Sequence, residues 1–151
     1  VSIHLPLLVG LTGEKMSGSK PKTHIAVHEK PGVIKKKIRN TFCPPTNANP
    51  DENPIFSLLR YVIMPYTTSL LVQRPEKYGG DVKYTDFKKI QEDYMNGRLH
   101  PLDLKNAVAE YIIKRLEPAR RLLEREPELL KPLAKLQKWQ YERGYIDKGS
   151  W

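Results

Sequence analysis

The stretch HPLDLKNAVAEYIIKRLEPAR, residues 100–120, reads as a long helix. Pro101 suits a first helical position, because its missing N–H is not needed there and its φ is already helical. Leu104, Val108, Ile112 and Leu116 then recur every four residues, which lays one apolar stripe along one face. Pro118 is expected to kink or break the helix. Working outward, the same period appears in NPIFSLLRYVI (residues 53–63), where Asn53 and Pro54 read as N-cap and first residue. Ile55, Leu58, Leu59, Val62 and Ile63 form its stripe, and Pro65 ends it. Pro31 opens a shorter helix with Val33, Ile34 and Ile38 on one side and Lys35, Lys36, Lys37 and Arg39 on the other. Thr85 or Asp86 caps a helix running to Asn96, with Gly97 after its end. A last amphipathic helix is expected over residues 127–143, carrying Leu129, Leu130, Leu133, Leu136 and Trp139 and stopped at Gly144.

Strand signals are few. Residues 69–73 and 81–85 read as two strands joined by RPEKYGG, whose Gly79-Gly80 pair can take positive φ. Residues 24–27 look like a short extended step. Residues 1–11 are an apolar run that reads as a buried strand. The Pro- and Asn-dense segment 43–54 is the best linker candidate.

Length and composition narrow the function classes. The 151 residues suffice for one domain and an appendage, and 39% hydrophobic with 28% charged residues is a globular balance. Lys and Arg total 26 against 17 Asp and Glu, a formal net charge of +9, which points to a polyanionic partner. Cys43 is the only cysteine, so there is no internal disulfide and no cysteine-based zinc site, and a reducing, cytoplasmic compartment is expected. No apolar run approaches the roughly 20 residues of a membrane-spanning helix. The first ten residues lack the basic flank and small-residue cleavage site of a signal peptide. His24 and His28 are four apart, but no third ligand accompanies them, so no metal site is expected.

The loop GEKMSGSK (residues 13–20) carries the strongest local chemistry. Lys15 and Lys20 can pair with phosphate oxygens, and Ser17, Ser19 and backbone N–H groups can donate to the same oxygens. Its spacing is not that of a P-loop, and the bland alternative is a solvated surface loop.

KMSGSK closely resembles the KMSKS signature of class I aminoacyl-tRNA synthetases. NPIFSLLRYVI, RPEKYGGD (residues 74–81) and LHPLDLKNAVAEYIIKRLEPAR (residues 99–120) follow it in the order and spacing of archaeal-type tyrosyl-tRNA synthetases. The resemblance covers residues 1–121. The segments RPEKYGGD and HPLDLKNAVAE follow the tyrosine pattern rather than that of the tryptophan relative. It implies a mainly α fold: a helical anticodon-binding domain with one small antiparallel β-hairpin, preceded by a strand and loop from a Rossmann-type catalytic domain. The implied boundaries are 1–30 for the end of the catalytic domain, 31–125 for the helical domain and 126–151 for a C-terminal helical extension.

The resemblance also implies roles. In the family the signature loop closes over ATP and stabilises the triphosphate while tyrosine attacks the α-phosphorus. Lys15, Ser17 and Ser19 match its catalytic positions, and Lys15, Met16, Ser17, Gly18 and Ser19 its ATP-binding stretch. Gly18 departs from the pattern, which has Lys or Ser there. The family stacks the first anticodon base, a guanine, on an aromatic at the position of Tyr78 and holds its edge with a carboxylate at that of Asp103. His100 and Pro101 would form the other wall, Leu102 an apolar contact, Lys105 a phosphate contact, and Cys43 would approach the same pocket. Each has a plainer reading. Asp103 suits a helix N-terminus, Tyr78 a turn and His100 a cap, and the run Lys35 to Arg39, which in a tRNA enzyme would also contact the tRNA backbone, reads as a solvated face. Trp139, Tyr141, Tyr145 and Trp151 read as packing residues.

Three hypotheses follow. In the first, the chain is the C-terminal portion of a tyrosine–tRNA ligase whose partners are tRNA-Tyr, ATP with Mg2+, and tyrosine. A start without Met inside an apolar run favours this reading. The half bearing the HIGH-type signature, the tyrosine pocket and the family's homodimer interface is not in these residues. The portion alone is then expected to bind no cofactor, to catalyse nothing, and to be monomeric or paired through its first strand. That strand is expected to pack on the helices or pair with a neighbour. In the second, the chain is a free-standing RNA-binding module. In the third, it is a structural or protein-interaction domain whose basic face only solvates it.

Overall fold

The computed structural model describes residues 7–146. Among the described residues there are five α-helices and one two-stranded sheet, a mainly α architecture as expected. Their bounds are α1 Pro31–Arg39, α2 Pro54–Leu58, β1 Leu70–Val72, β2 Val82–Tyr84, α3 Phe87–Met95, α4 Pro101–Arg125 and α5 Lys131–Glu142. The α2 helix widens into a π-turn over Leu59–Ile63 and tightens into a 3₁₀ turn over Met64–Tyr66, so Pro65 sits inside the terminal turn.

Local chemistry explains the starts. The Asn53 side chain accepts the Ile55 N–H at 3.0 Å, and Asp86 accepts the Lys88 N–H at 3.1 Å. His100 caps α4 through Nδ1, which accepts the Leu102 N–H at 3.1 Å. Gly97 (φ 70°) ends the α3 turn, and Gly79 (φ 96°) lets the chain reverse between the strands, which pair antiparallel with Leu70 opposite Tyr84.

The core joins all of these elements except α5. Ile34 and Ile38 of α1, Ile55, Phe56 and Leu59, Ile90 and Tyr94 of α3, and Leu104, Val108 and Ile112 of α4 are buried in one cluster. Each fully buried side chain of this kind contributes about 1.5–3 kcal/mol. Phe56 stands edge-on to Tyr94 at 4.9 Å and to Phe87 at 6.2 Å. The α1 helix packs along α4.

Several expectations need correcting. Residues 1–6 of the expected first strand lie outside the described residues. Over 7–11 there is a single bridge, from Val9 to Lys15, not a sheet strand. Backbone groups there find other partners: Val9 N–H donates to Ser57 Oγ (3.3 Å), Leu11 N–H to the Thr23 carbonyl (2.9 Å), and the Leu11 carbonyl accepts from Phe42 N–H (3.1 Å). Residues 24–27 form no strand; a 3₁₀ turn, Pro21–Thr23, precedes them. Segment 43–54 is no linker, because Ala48 and Asn53 are buried and Gln91 Nε2 donates to the Ala48 carbonyl at 2.7 Å.

Pro118 does not break α4. It offers no N–H to the Lys114 carbonyl, but one turn away Arg120 Nη2 donates to the Ile113 carbonyl at 2.9 Å. Arg120 is itself buried. The expected helix over 127–143 divides into a 3₁₀ turn, Pro127–Leu130, and α5, which has no buried residue. Val33 is also exposed, whereas Lys37 on the expected solvent face is largely covered.

Candidate nucleic-acid interface and phosphate loop

Three segments converge on a cleft of about 700 Å³. The turn after β1 brings Arg74, Pro75 and Tyr78. The bend after α3 brings Gly97, Arg98 and His100. The first turn of α4 brings Leu102 and Asp103, and Asp93 of α3 closes the lining. Tyr78, His100, Leu102 and Asp103, separated by up to 25 positions in sequence, therefore share one concave surface.

Arg74 holds the cleft's shape. Its Nε donates to the Gly80 carbonyl (2.9 Å) and its Nη1 to the Arg98 carbonyl (2.7 Å), while its backbone N–H donates to Asp81 Oδ1 (3.0 Å). The hairpin turn is thereby tied to the entry of α4. A Cβ on Gly79 would meet Arg74 Nη2 at 3.3 Å.

Asp93 is committed to the protein. It accepts from the Tyr84 hydroxyl (3.0 Å) and pairs with Arg98 Nε (3.0 Å) and Lys89 Nζ (3.3 Å). Burial pushes its carboxyl up, but the Tyr84 bond and the two cations outweigh that and hold it below the usual carboxylate value. Burial and the bond to Asp93 push the Tyr84 phenol up to about 12.

Asp103 differs. It is only partly exposed, and its carboxylate makes no hydrogen bond or ion pair among the described residues. His100 spends Nδ1 on its cap, which leaves Nε2 of the neutral ring as a donor. Tyr78 is 63% exposed, with the Lys77 ammonium 4.8 Å from its ring centroid on one side. The arrangement combines an exposed aromatic face, a carboxylate with open lone pairs, and a cationic rim. Such a set can take a flat group that has paired N–H donors and an attached anion.

Pro101, Lys105 and Cys43 are placed apart from this lining. Pro101 is the first residue of α4. Lys105 Nζ donates to the Arg39 carbonyl at 3.2 Å. The Cys43 thiol lies 3.1 Å from the Tyr94 hydroxyl and 3.6 Å from Asn53 Nδ2. Burial and the neighbouring thiol push the Tyr94 phenol far up.

Residues 13–20 form the second candidate site. Gly10 N–H donates to the Glu14 carbonyl and Gly13 N–H to the Gly10 carbonyl, both at 2.8 Å. A Cβ on Gly10 would lie 2.8 Å from the Glu14 oxygen, so the turn needs glycine there. Lys15, Met16 and Gly18 are exposed, and the Ser17 and Ser19 hydroxyls lie 3.0 Å apart. A Cβ on Gly18 would meet nothing within 4 Å. Buried Thr23 accepts the Ser17 N–H at 3.0 Å. Arg74, Asp93, Arg98, Thr23 and Lys37 were not singled out from sequence as site residues. Only Arg74 had a signal, its place in RPEKYGGD.

The family model for class I tRNA synthetases (W and Y) matches residues 1–117. The tyrosine–tRNA ligase of Archaeoglobus fulgidus is 46% identical over 123 residues, covering 82% of this chain and 37% of that protein. That of Pyrococcus furiosus is 44% identical over 124 residues, covering 82% of this chain and 32% of that protein. The crystal structure of the A. fulgidus tyrosyl-tRNA synthetase complexed with L-tyrosine superposes with a TM-score of 0.72 at 45% identity, covering 78% of this chain and 36% of that one. The Aeropyrum pernix tyrosyl-tRNA synthetase gives 0.73 at 34% identity, covering 89% of this chain and 39% of that one. The chain spans about a third of the length of the curated relatives it matches.

Proposed function

The chain belongs to the class I tRNA synthetases of the tryptophan and tyrosine group, and on that premise we propose that it serves a tyrosine–tRNA ligase as its phosphate loop and anticodon reader. The proposed division is 1–30 for the end of the catalytic domain, 31–125 for the anticodon-binding domain and 126–151 for an extension. Tyrosine would be activated by attack of its carboxylate on the α-phosphorus of ATP, which enters with Mg2+ as substrate; the bond to the β-phosphate breaks, pyrophosphate leaves and tyrosyl-adenylate forms. A hydroxyl at the tRNA 3′ end then attacks the tyrosyl carbonyl and releases AMP.

Lys15 would supply positive charge to the triphosphate. Ser17 and Ser19 would donate through hydroxyls already side by side. The pentacoordinate α-phosphorus gains charge on its oxygens, so donors fixed beforehand act mainly in the transition state. Gly18 adds no donor, and the loop's backbone N–H groups take a larger share.

In the cleft, a guanine splayed from the anticodon would stack on Tyr78 and present N1–H and N2–H together to Asp103. The observation that carries this reading is the uncommitted Asp103 carboxylate in a cleft whose other acid, Asp93, is already saturated. Arg98, His100 and Leu102 line the same space. Lys105 lies one turn further along α4, suited to the RNA backbone once it leaves the Arg39 carbonyl.

The test is amino-acid specificity of the ligase polypeptide carrying this sequence. Tyrosine should support ATP–pyrophosphate exchange and charging of tRNA-Tyr. Exchange driven by tryptophan instead would overturn the assignment. No helix among the described residues is long and apolar enough to cross a membrane.

A further inference from the structure

The turn behind the phosphate loop is held from two directions by residues whose polar atoms bond to the protein itself. Thr23 is 3% exposed. Its Oγ1 accepts the Ser17 N–H at 3.0 Å and lies 2.9 Å from the Ser17 carbonyl and 2.7 Å from the Lys20 carbonyl, serving one of them at a time with its single proton. Its N–H donates to the Lys20 carbonyl, and its own carbonyl accepts from Leu11 N–H, both at 2.9 Å. One residue thus closes a ring around 17–20 and ties that ring to the segment before the loop.

Lys37 holds Thr23's turn from outside. Its ammonium donates to the Pro21 carbonyl at 2.6 Å and the His24 carbonyl at 3.0 Å, the residues on either side of the Lys22-Thr23 pair, and forms an ion pair with Glu29. Three acceptors use all three of its donors, and the side chain is 16% exposed. Its charge is spent on the turn and is not offered to a phosphate.

We propose that Thr23 and Lys37 are positioning residues for the phosphate loop. Thr23 fixes the backbone of Ser17 and Lys20 from within, and Lys37 fastens the Thr23 turn to α1. A Gly- and Ser-bearing loop would otherwise sample many conformations, and donors that must be ordered during the reaction contribute less to its rate. Fixing the backbone at Ser17 places its hydroxyl and the next two N–H groups before ATP arrives. This inference rests on reading residues 15–19 as the phosphate loop.

The test has two parts. Hydrogen exchange on this chain should show a Ser17 amide whose protection falls on the order of 10-fold in Thr23→Val and is kept in Thr23→Ser. The paired substitution Glu29→Gln with Lys37→Met, which leaves no buried charge unpaired, should lower it as well. Unchanged Ser17 protection in both variants would overturn the proposal, and if Thr23→Val does not fold, the paired variant decides. In the ligase polypeptide, Thr23→Val should lower kcat of ATP–pyrophosphate exchange on the order of 10- to 100-fold with KM for ATP little changed, and Thr23→Ser should restore it. Lys15→Ala separates the two readings. Undiminished exchange in Lys15→Ala would defeat the phosphate-loop reading. Impaired exchange there beside full activity in Thr23→Val would defeat the positioning role alone.

Discussion

Asp93 and Asp103 line one cleft with opposite commitments: Asp93 is bonded to Tyr84, Lys89 and Arg98, while Asp103 is bonded to none of the described side chains. Two carboxylates in one concavity would ordinarily compete for the same cations. Here α3 delivers the first to a hydroxyl and two bases, and α4 presents the second in its first turn. One acid builds the cleft and the other is left to meet what enters it.

Substitution should separate the two acids. Asp93→Asn removes the charge that Arg98 and Lys89 share and should destabilise the fold by about 1–3 kcal/mol. Asp103→Ala should change stability by no more than about 0.5 kcal/mol. Urea unfolding of both variants checks this, and equal losses would contradict the division.

The Asp93 environment also sets an acid limit. Its folded pKa is lowered, so the unfolded chain binds the proton first as pH falls. Its contribution is complete above the unfolded carboxyl value of about 3.9 and is lost as pH drops through the lower folded value. Thermal melts of wild type and Asp93→Asn between pH 6 and about 2 should converge at the acid end.

Tyr84 gives the complementary alkaline limit. Its pKa is raised to about 12, so its contribution is complete below the unfolded value of about 10 and is lost as pH rises through about 12. The difference in stability between wild type and Tyr84→Phe should shrink over that window. A difference spectrum should show one tyrosine fewer ionising near pH 12.

Much of this architecture is legible in local chemistry. Asn53, Asp86 and His100 precede their helices at positions where a side-chain acceptor meets an orphan N–H, and Gly79 and Gly97 sit where φ is positive. Of the cleft's members, Tyr78, His100, Leu102 and Asp103 were named through a family resemblance; residue spacing alone left Asp103 as a cap. What stayed hidden depends on tertiary partners. Lys37 lies among Lys35, Lys36 and Arg39, and nothing in that run distinguishes the lysine that reaches back to Pro21 and His24. Arg98 is an unremarkable base until the α3 terminus folds it onto Asp93.

Pro118 illustrates a local rule overridden at a distance. No break occurs there: α4 runs unbroken through Pro118, and close by the Arg120 guanidinium donates to the Ile113 carbonyl. Pro118→Ala should restore the missing backbone bond and raise stability by about 1–3 kcal/mol. Thermal unfolding measures this, and a lower midpoint would show that the proline is required by its surroundings.

Gly10 and Gly18 should respond differently to a side chain. Gly18→Ser places its Cβ in open space and should leave the melting temperature unchanged, while Gly10→Ala forces a contact with the Glu14 oxygen and should disorder the turn. Amide exchange at positions 10 and 13, whose N–H groups donate within the turn, reports the outcome. A tolerated Gly10→Ala would mean that the turn relaxes more readily than its geometry implies.

Whether Tyr78 and Asp103 read a guanine, as proposed, is decided by a binding cycle. Affinity for a tRNA-Tyr transcript is compared with that for a transcript whose first anticodon guanine is replaced, for wild type and Asp103→Ala, across a salt series. Wild type should lose about 1–3 kcal/mol on the base change, and Asp103→Ala should show no such difference. Equal and steeply salt-dependent binding of wild type to both transcripts would contradict it, leaving a basic surface that holds phosphates without reading a base.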